Sequence, residues 1–211
     1  MKDYDVPFIP NSPDDLHCLQ AAYMMIATYF MPSIEMDWEE WSVLTGFEPD
    51  KGTWASAALL WFRSQGFVVE HWSLFDYPEF LKTGGEYLIR MAGEEVGEWQ
   101  IAHSNIPLEQ QRIRQLLNEV KVEQKEPTLA VIKQFLDDGY LVRVMVNARK
   151  LNGKPGYVGH AVVVKGYNDG GFIIHDPGLP ALANRQVSYI DFEANWADPN
   201  IDAKEMDAIK R

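Results

Sequence analysis

Cysteine is almost absent: Cys18 is the single one among 211 residues. One thiol excludes an internal disulfide, a C-x-x-C redox pair and the multi-cysteine zinc sites, and it fits a reducing compartment. Any chemistry at sulfur therefore belongs to Cys18. Positive charge is scarce as well, with 19 Lys and Arg against 31 Asp and Glu and a formal charge of −12. Such a surface repels phosphate backbones and anionic lipid headgroups, so neither nucleic acid nor a membrane is an expected partner. No apolar run reaches the ~18–20 residues that cross a bilayer; the most apolar stretch, Leu19–Met31, has thirteen. The amino terminus, MKDYDVPFIP, carries acids and prolines where a secretory signal has a basic start, so the expected location is cytoplasmic. There is no GxxxxGK(S/T) loop, no HExxH and no paired-ligand spacing among the five histidines, so no cofactor or metal is expected.

What is present fits one domain spanning 1–211, long enough to bury about 70% of its extended surface without metal or disulfide. Helical patterns dominate before Pro127 and strand patterns after it. Leu19, Ala22, Tyr23, Ile26 and Phe30 recur at helical spacing, and Ala21, Met24 and Met25 make the stretch apolar all round, so this helix is expected to be buried. Asp37 to Gly46 and Thr53 to Gln65 read as two further helices, the second closed by Gly66, and Phe67–Trp72 reads as a short strand. The region 75–125 reads as a helical insertion that covers one side of a cleft or forms an oligomer contact. Its last helix starts near Pro107 and runs through Val120. Thr128 caps a helix ending at Gly139, Tyr140–Asn147 is a strand, and HAVVVKG from His160 with FIIHD ending at Asp176 makes a hairpin. The expected fold class is α+β: a helical lobe to about 127 packed on an antiparallel sheet lobe from about 128 to 211.

A cysteine nucleophile needs a stabilised thiolate, a base and a group that orients the base. Cys18 follows the helix-start signature Ser12, Pro13, Asp14, Asp15, so its sulfur lies near a helix amino end, where the macrodipole favours negative charge. The two acids act in the opposite direction. A lone cysteine beside an apolar helix is more often a small buried hydrophobe, so Cys18 needs partners to be more than that. His160 opens an apolar strand directly after a glycine-rich loop. A hairpin centred on Asn168, with Tyr167–Asn168–Asp169 as its loop and Gly170 as a left-handed bulge, places His160 directly across from Asp176 on one face. His175 then faces the other way.

Two stretches carry a family likeness: VPFIPNSPDDLHCLQAAYMMIATYF from Val6 and GHAVVVKGYNDGGFIIHDPGLP from Gly159. They resemble the papain-like cysteine peptidases of the bacteriocin leader-processing, or double-glycine, type, the thirty-ninth family of cysteine peptidases. The helix and strand GTWASAALLWFRSQGFVVE from Gly52 are similar to the family as well. The resemblance implies a papain-like fold with Cys18 as nucleophile, His160 as general base and acid, and Asp176 as the orienting group. It also implies an oxyanion hole made by the backbone N–H of Cys18 and an upstream amide, for which the nearest residue is Asn11. The chain departs from the family in having Leu19 after the cysteine, His17 before it, and Asn11 where a glutamine is usual.

The expected activity is a cysteine hydrolase, a peptidase or amidase working through a thioester on a peptide or small amide or acyl substrate. Two alternatives stay open: an acyl transferase with the same triad, and a catalytically silent peptide-binding domain of the same fold. Substrate identity and oligomeric state are not expressed in the sequence. The seven tryptophans fit a core better than a groove.

Overall fold

The computed structural model describes residues 1–178 and 180–211. A two-residue strand, β1 (Lys2–Asp3), precedes three helices, α1 (Cys18–Phe30), α2 (Trp38–Thr45) and α3 (Ser56–Ser64). Every residue of α1 from Leu19 to Ala27 is buried, as an apolar surface on all sides requires. Helix α2 begins in a capping box, in which the Asp37 carboxylate accepts from the Glu40 N–H and the Glu40 carboxylate from the Asp37 N–H, each at 2.9 Å. It stops at Gly46, whose φ of 70° costs a residue without Cβ nothing.

Strand β2 (Val68–Ser73) leads into four helices, α4 (Tyr77–Thr83), α5 (Gly85–Ala92), α6 (Glu94–Ala102) and α7 (Ile106–Glu119), and then into β3 (Lys121–Gln124). Strands β2 and β3 are parallel. The expected helical insertion is therefore a crossover, which parallel neighbours need, and it closes in a strand. Its helices enclose a small core around Tyr77, Phe80, Leu88 and Ile113.

The remaining elements are α8 (Leu129–Asp137), β4 (Leu141–Asn147), α9 (Ala148–Leu151), β5 (Gly159–Asn168), β6 (Gly171–Asp176), β7 (Leu182–Ser188), α10 (Tyr189–Trp196) and β8 (Glu205–Lys210). Together the strands make one mixed sheet in the order β3-β2-β8-β4-β5-β6-β7, with β1 alongside β5. The fold is α+β, but the expectation of an antiparallel sheet confined to residues after about 128 is corrected. Three strands come from before that point, and one pairing is parallel. At β5 the sheet is buried on both faces by alternation: Ala161 and Val163 pack with α1, while Val162 and Val164 pack with Phe135 of α8 and Phe192 of α10.

Strand β8 is central, hydrogen-bonded to β2 on one side and β4 on the other. It brings Asp207, fully buried, to Arg143 of β4, whose Nε donates to Asp207 Oδ2 at 2.6 Å. Tyr23 of α1 donates to the same oxygen at 2.6 Å, and His71 Nδ1 of β2 donates to Oδ1 at 2.6 Å. Tyr77 of α4 completes the chain by donating to His71 Nε2 at 2.6 Å. Burial alone would raise the Asp207 carboxyl, yet Arg143, His71 and Tyr23 hold it down to about 2.

Candidate active site

The site forms where α1 starts and β5 begins. Ahead of α1, residues 11–17 form a tied loop. The Asn11 Oδ1 accepts from the N–H groups of Ser12 and His17, both at 2.9 Å, while its Nδ2 donates to Asp15 Oδ1 at 2.8 Å. His17 is held by Ser12 Oγ at 2.8 Å and lies against the Phe47 ring. The Asn11 N–H reaches over to the Pro177 carbonyl at 2.8 Å. That bond fastens the loop before Cys18 to the residue after Asp176.

The hairpin carrying His160 and Asp176 is not centred on Asn168. Asn168 pairs with Gly171 around a two-residue turn, Asp169–Gly170, and Asn168 Oδ1 accepts from the N–H groups of Gly170 (2.8 Å) and Gly171 (3.2 Å). Carried down the strands unbroken, this register would put His160 and Asp176 on opposite faces. A bulge at Lys165 absorbs one residue, so that Gly166 pairs with Ile173 but Val164 with Ile174 and Val163 with His175. His160 then lies diagonal to Asp176 rather than opposite it, on the same face. The bulge is pinned from the chain's start: Lys165 Nζ donates to Asp3 Oδ1 at 2.5 Å and to Asn184 Oδ1 at 2.9 Å, and its carbonyl accepts from the Tyr4 N–H at 3.0 Å.

His160 Nε2 donates to Asp176 Oδ1 at 2.7 Å, both residues being buried. Asp176 Oδ1 also accepts from the Gly178 N–H at 3.0 Å, and Oδ2 from Arg185 Nη1 of β7 at 2.8 Å. Arg185 is itself braced by Asn152 Oδ1 at 3.0 Å and by the Leu151 carbonyl. Gly178 passes so close that a Cβ there would sit 3.1 Å from Asp176 Oδ1 and from His160 Cε1 and Nε2. With Nε2 committed to Asp176, Nδ1 is the ring nitrogen that can serve the Cys18 thiol, which His160 makes more acidic.

The electrostatics follow from these partners. Burial pushes the Cys18 thiol up, but the hydrogen bond and positive charge of His160, with the Ala161 N–H, outweigh it and leave the thiol below its ordinary value. Burial likewise disfavours charge on His160, yet the bonds to Asp176 and Cys18 carry it up to about 10. Asp176 is held low against burial by His160, Gly178 and Arg185. A thiolate beside an imidazolium is the form this arrangement favours.

A cavity of about 550 Å³ reaches the amino end of α1 at Leu19, the residue after Cys18. At one end it touches Leu19, Met145 and Tyr157, and α5 and α6 of the crossover form a wall with Met91, Val96 and Trp99. Of the tryptophans, Trp41 and Trp196 are core, whereas Trp54 and Trp99 line this cavity.

No family model matches the sequence, and no curated protein matches it significantly. Among solved structures, a Bacillus anthracis protein provisionally described as a C39-like peptidase matches over 100% of this chain and 98% of its own, with a TM-score of 0.51 and 18% identity. The chain shares that fold. At this identity the likeness extends to the α+β architecture.

Three of the residues singled out in the sequence, Cys18, His160 and Asp176, come together. Asn11 reaches the same loop, but its side chain is engaged with Asp15, Ser12 and His17. The reading missed Arg185, Gly178 as a contact, and the Ala161 N–H. The one available signal for Arg185 was a cation facing inward on a strand, and that strand carries too few apolar residues to be recognised. Among the described residues no helix is long and apolar enough to cross a membrane.

Proposed function

We propose that the protein is a papain-like cysteine hydrolase, a peptidase or amidase, with Cys18 as nucleophile, His160 as acid and base, and Asp176 as the group that orients the imidazole. The observation that carries this reading is the bonded set His160–Asp176–Arg185 at the amino end of α1, with His160 lowering the pKa of the Cys18 thiol. The Cys18 thiolate attacks the substrate carbonyl carbon, and the oxyanion develops where the free Cys18 N–H points. The His160 imidazolium gives its Nδ1 proton to the departing amine, leaving a thioester. Neutral His160 then takes a proton from the water whose oxygen attacks the thioester carbon, and collapse of that intermediate breaks the C–S bond, releasing the acid and restoring the Cys18 thiolate beside the His160 imidazolium. Asp176 stays ionised throughout, fixing the tautomer with its charge. The second oxyanion donor is assigned to Asn11, whose amide nitrogen has a second hydrogen beyond the one given to Asp15. A working thiol of this kind suits a reducing compartment, in line with a cytoplasmic location.

One observation favours the silent peptide-binding reading instead: the Asn11 Oδ1 and one of its two amide hydrogens are held inside the loop, which restrains the side chain from turning toward a substrate. Acyl transfer differs from hydrolysis only in the acceptor that meets the thioester. A mixed peptide-amide pool, read by mass spectrometry for an acyl adduct on Cys18 and for new amines, separates these. An adduct lost in Cys18→Ala supports the hydrolase, products joined to added amines identify a transferase, and binding without any adduct leaves the silent domain.

A further inference from the structure

The cavity reached through Leu19 has a chemistry of its own. Its walls are mostly apolar, with Trp54, Phe75, Leu88, Met91, Val96 and Trp99, while His103, Asp202 and Glu205 also line it. Two polar side chains that also line it, His71 and Tyr77, are spent on each other, and His71 is further bound to Asp207. Cys18, His160 and Asp176 do not line the cavity themselves, but their neighbourhood does: Leu19 follows Cys18, and Met145 and Tyr157 have side chains 3.5 and 3.3 Å from a Cβ built on Gly159, the neighbour of His160.

We infer that this cavity receives a bulky apolar segment of the substrate adjoining the attacked carbonyl, an aromatic or long aliphatic group. The inference rests on the hydrolase reading and sharpens it. A volume of about 550 Å³ exceeds what paired glycines fill and lies in the range that encloses a whole small ligand, ~300–1,000 Å³. The apolar segment has two natural sources, adjacent large side chains of a peptide or a fatty acyl chain.

Chloromethyl ketones that alkylate Cys18 test it on the full chain. Acetyl-Gly-Gly, acetyl-Leu-Phe and dodecanoyl-Gly chloromethyl ketones are compared by their second-order rate constants, with iodoacetamide as the ligand-free control. Either apolar reagent should react more than about tenfold faster than the Gly-Gly reagent, since burying one large apolar group is worth at least that. A faster Leu-Phe reagent identifies a peptide, a faster dodecanoyl reagent an acyl chain. Val96→Glu, which places a charge on the cavity wall at a half-exposed position, should reduce the apolar-to-glycyl ratio about tenfold. Equal constants for all three reagents, or an unchanged ratio in Val96→Glu, overturn the inference while leaving the hydrolase intact. Iodoacetamide kinetics that do not depend on His160 overturn the hydrolase reading itself and the inference with it.

Discussion

Removing the His160 imidazole gives the sharpest test of the Cys18 environment. An ordinary thiol with pKa near 8.5 is about 1% thiolate at pH 6.5, so a sulfur held as thiolate there gains up to ~100-fold in reactive population. Part of this is returned, because a less basic thiolate is a weaker nucleophile; with a Brønsted slope of ~0.4–0.5 the net advantage is about tenfold. In the native protein the hydrogen bond and charge of His160 overcome burial at Cys18, and His160 keeps its proton up to about 10. Iodoacetamide alkylation should therefore be fast at pH 6.5 and nearly level up to about pH 9. In His160→Ala it should fall about tenfold at pH 6.5 and then climb with pH as an ordinary thiol does, so that the two profiles cross at pH ~7.5 and the variant is several-fold faster by about pH 9. The fold should survive, because Gly178 and Arg185 still hold Asp176. Circular dichroism checks that point. A native profile that already climbs through pH 8–9 and is unchanged by the substitution refutes the ion pair.

Arg185→Met removes a charge-assisted bond from a buried carboxylate and should cost ~2–3 kcal/mol in urea unfolding. It should also shift the low-pH limb of turnover upward as Asp176 becomes easier to protonate; an unaltered pH profile would make Arg185 purely structural. Gly178→Ala forces a methyl to within 3.1 Å of the His160 ring and Asp176. It should lower kcat more than KM, whereas an equal loss in both would point to the cleft. The Asp207 carboxyl is lowered from 3.8 to about 2, so its contribution to stability, ~2 kcal/mol, is complete above pH ~4 and disappears as pH falls toward 2. Urea midpoints measured between pH 5 and pH 2.5 should show this loss, and Tyr23→Phe, which weakens the hold on the carboxylate, should move it to higher pH.

The sequence disclosed the candidate site because each member stands at a punctuated boundary: Cys18 at a helix start, His160 after a glycine-rich loop, Asp176 before proline. Long-range register was not disclosed. The bulge at Lys165 is decided by Asp3, Tyr4 and Asn184, residues that no local pattern connects to a hairpin. Strand β7 was hidden by its exposed polar residues, and β8 by Asp207, a charge at a position where alternation demands an apolar residue. Its counter-charge, Arg143, lies in a strand that was recognised, but a pair separated by 64 residues has no sequence signature.

The central position of β8 sets an order on events during synthesis. Strand β2 and the crossover emerge early, and β4 follows, but the two halves of the sheet have no hydrogen-bonded seam until residues 205–210 arrive between them. Until then Arg143 and His71 have no carboxylate to bury against, and α1, which carries Cys18, lacks the Asp207 anchor for Tyr23. A nascent chain halted before β8 therefore holds a cysteine and a histidine that are not yet fixed to one another. The hairpin meets α1 through Ala161 and Val163 at that stage, and the last strand adds the buried anchor that fixes the helix across the sheet.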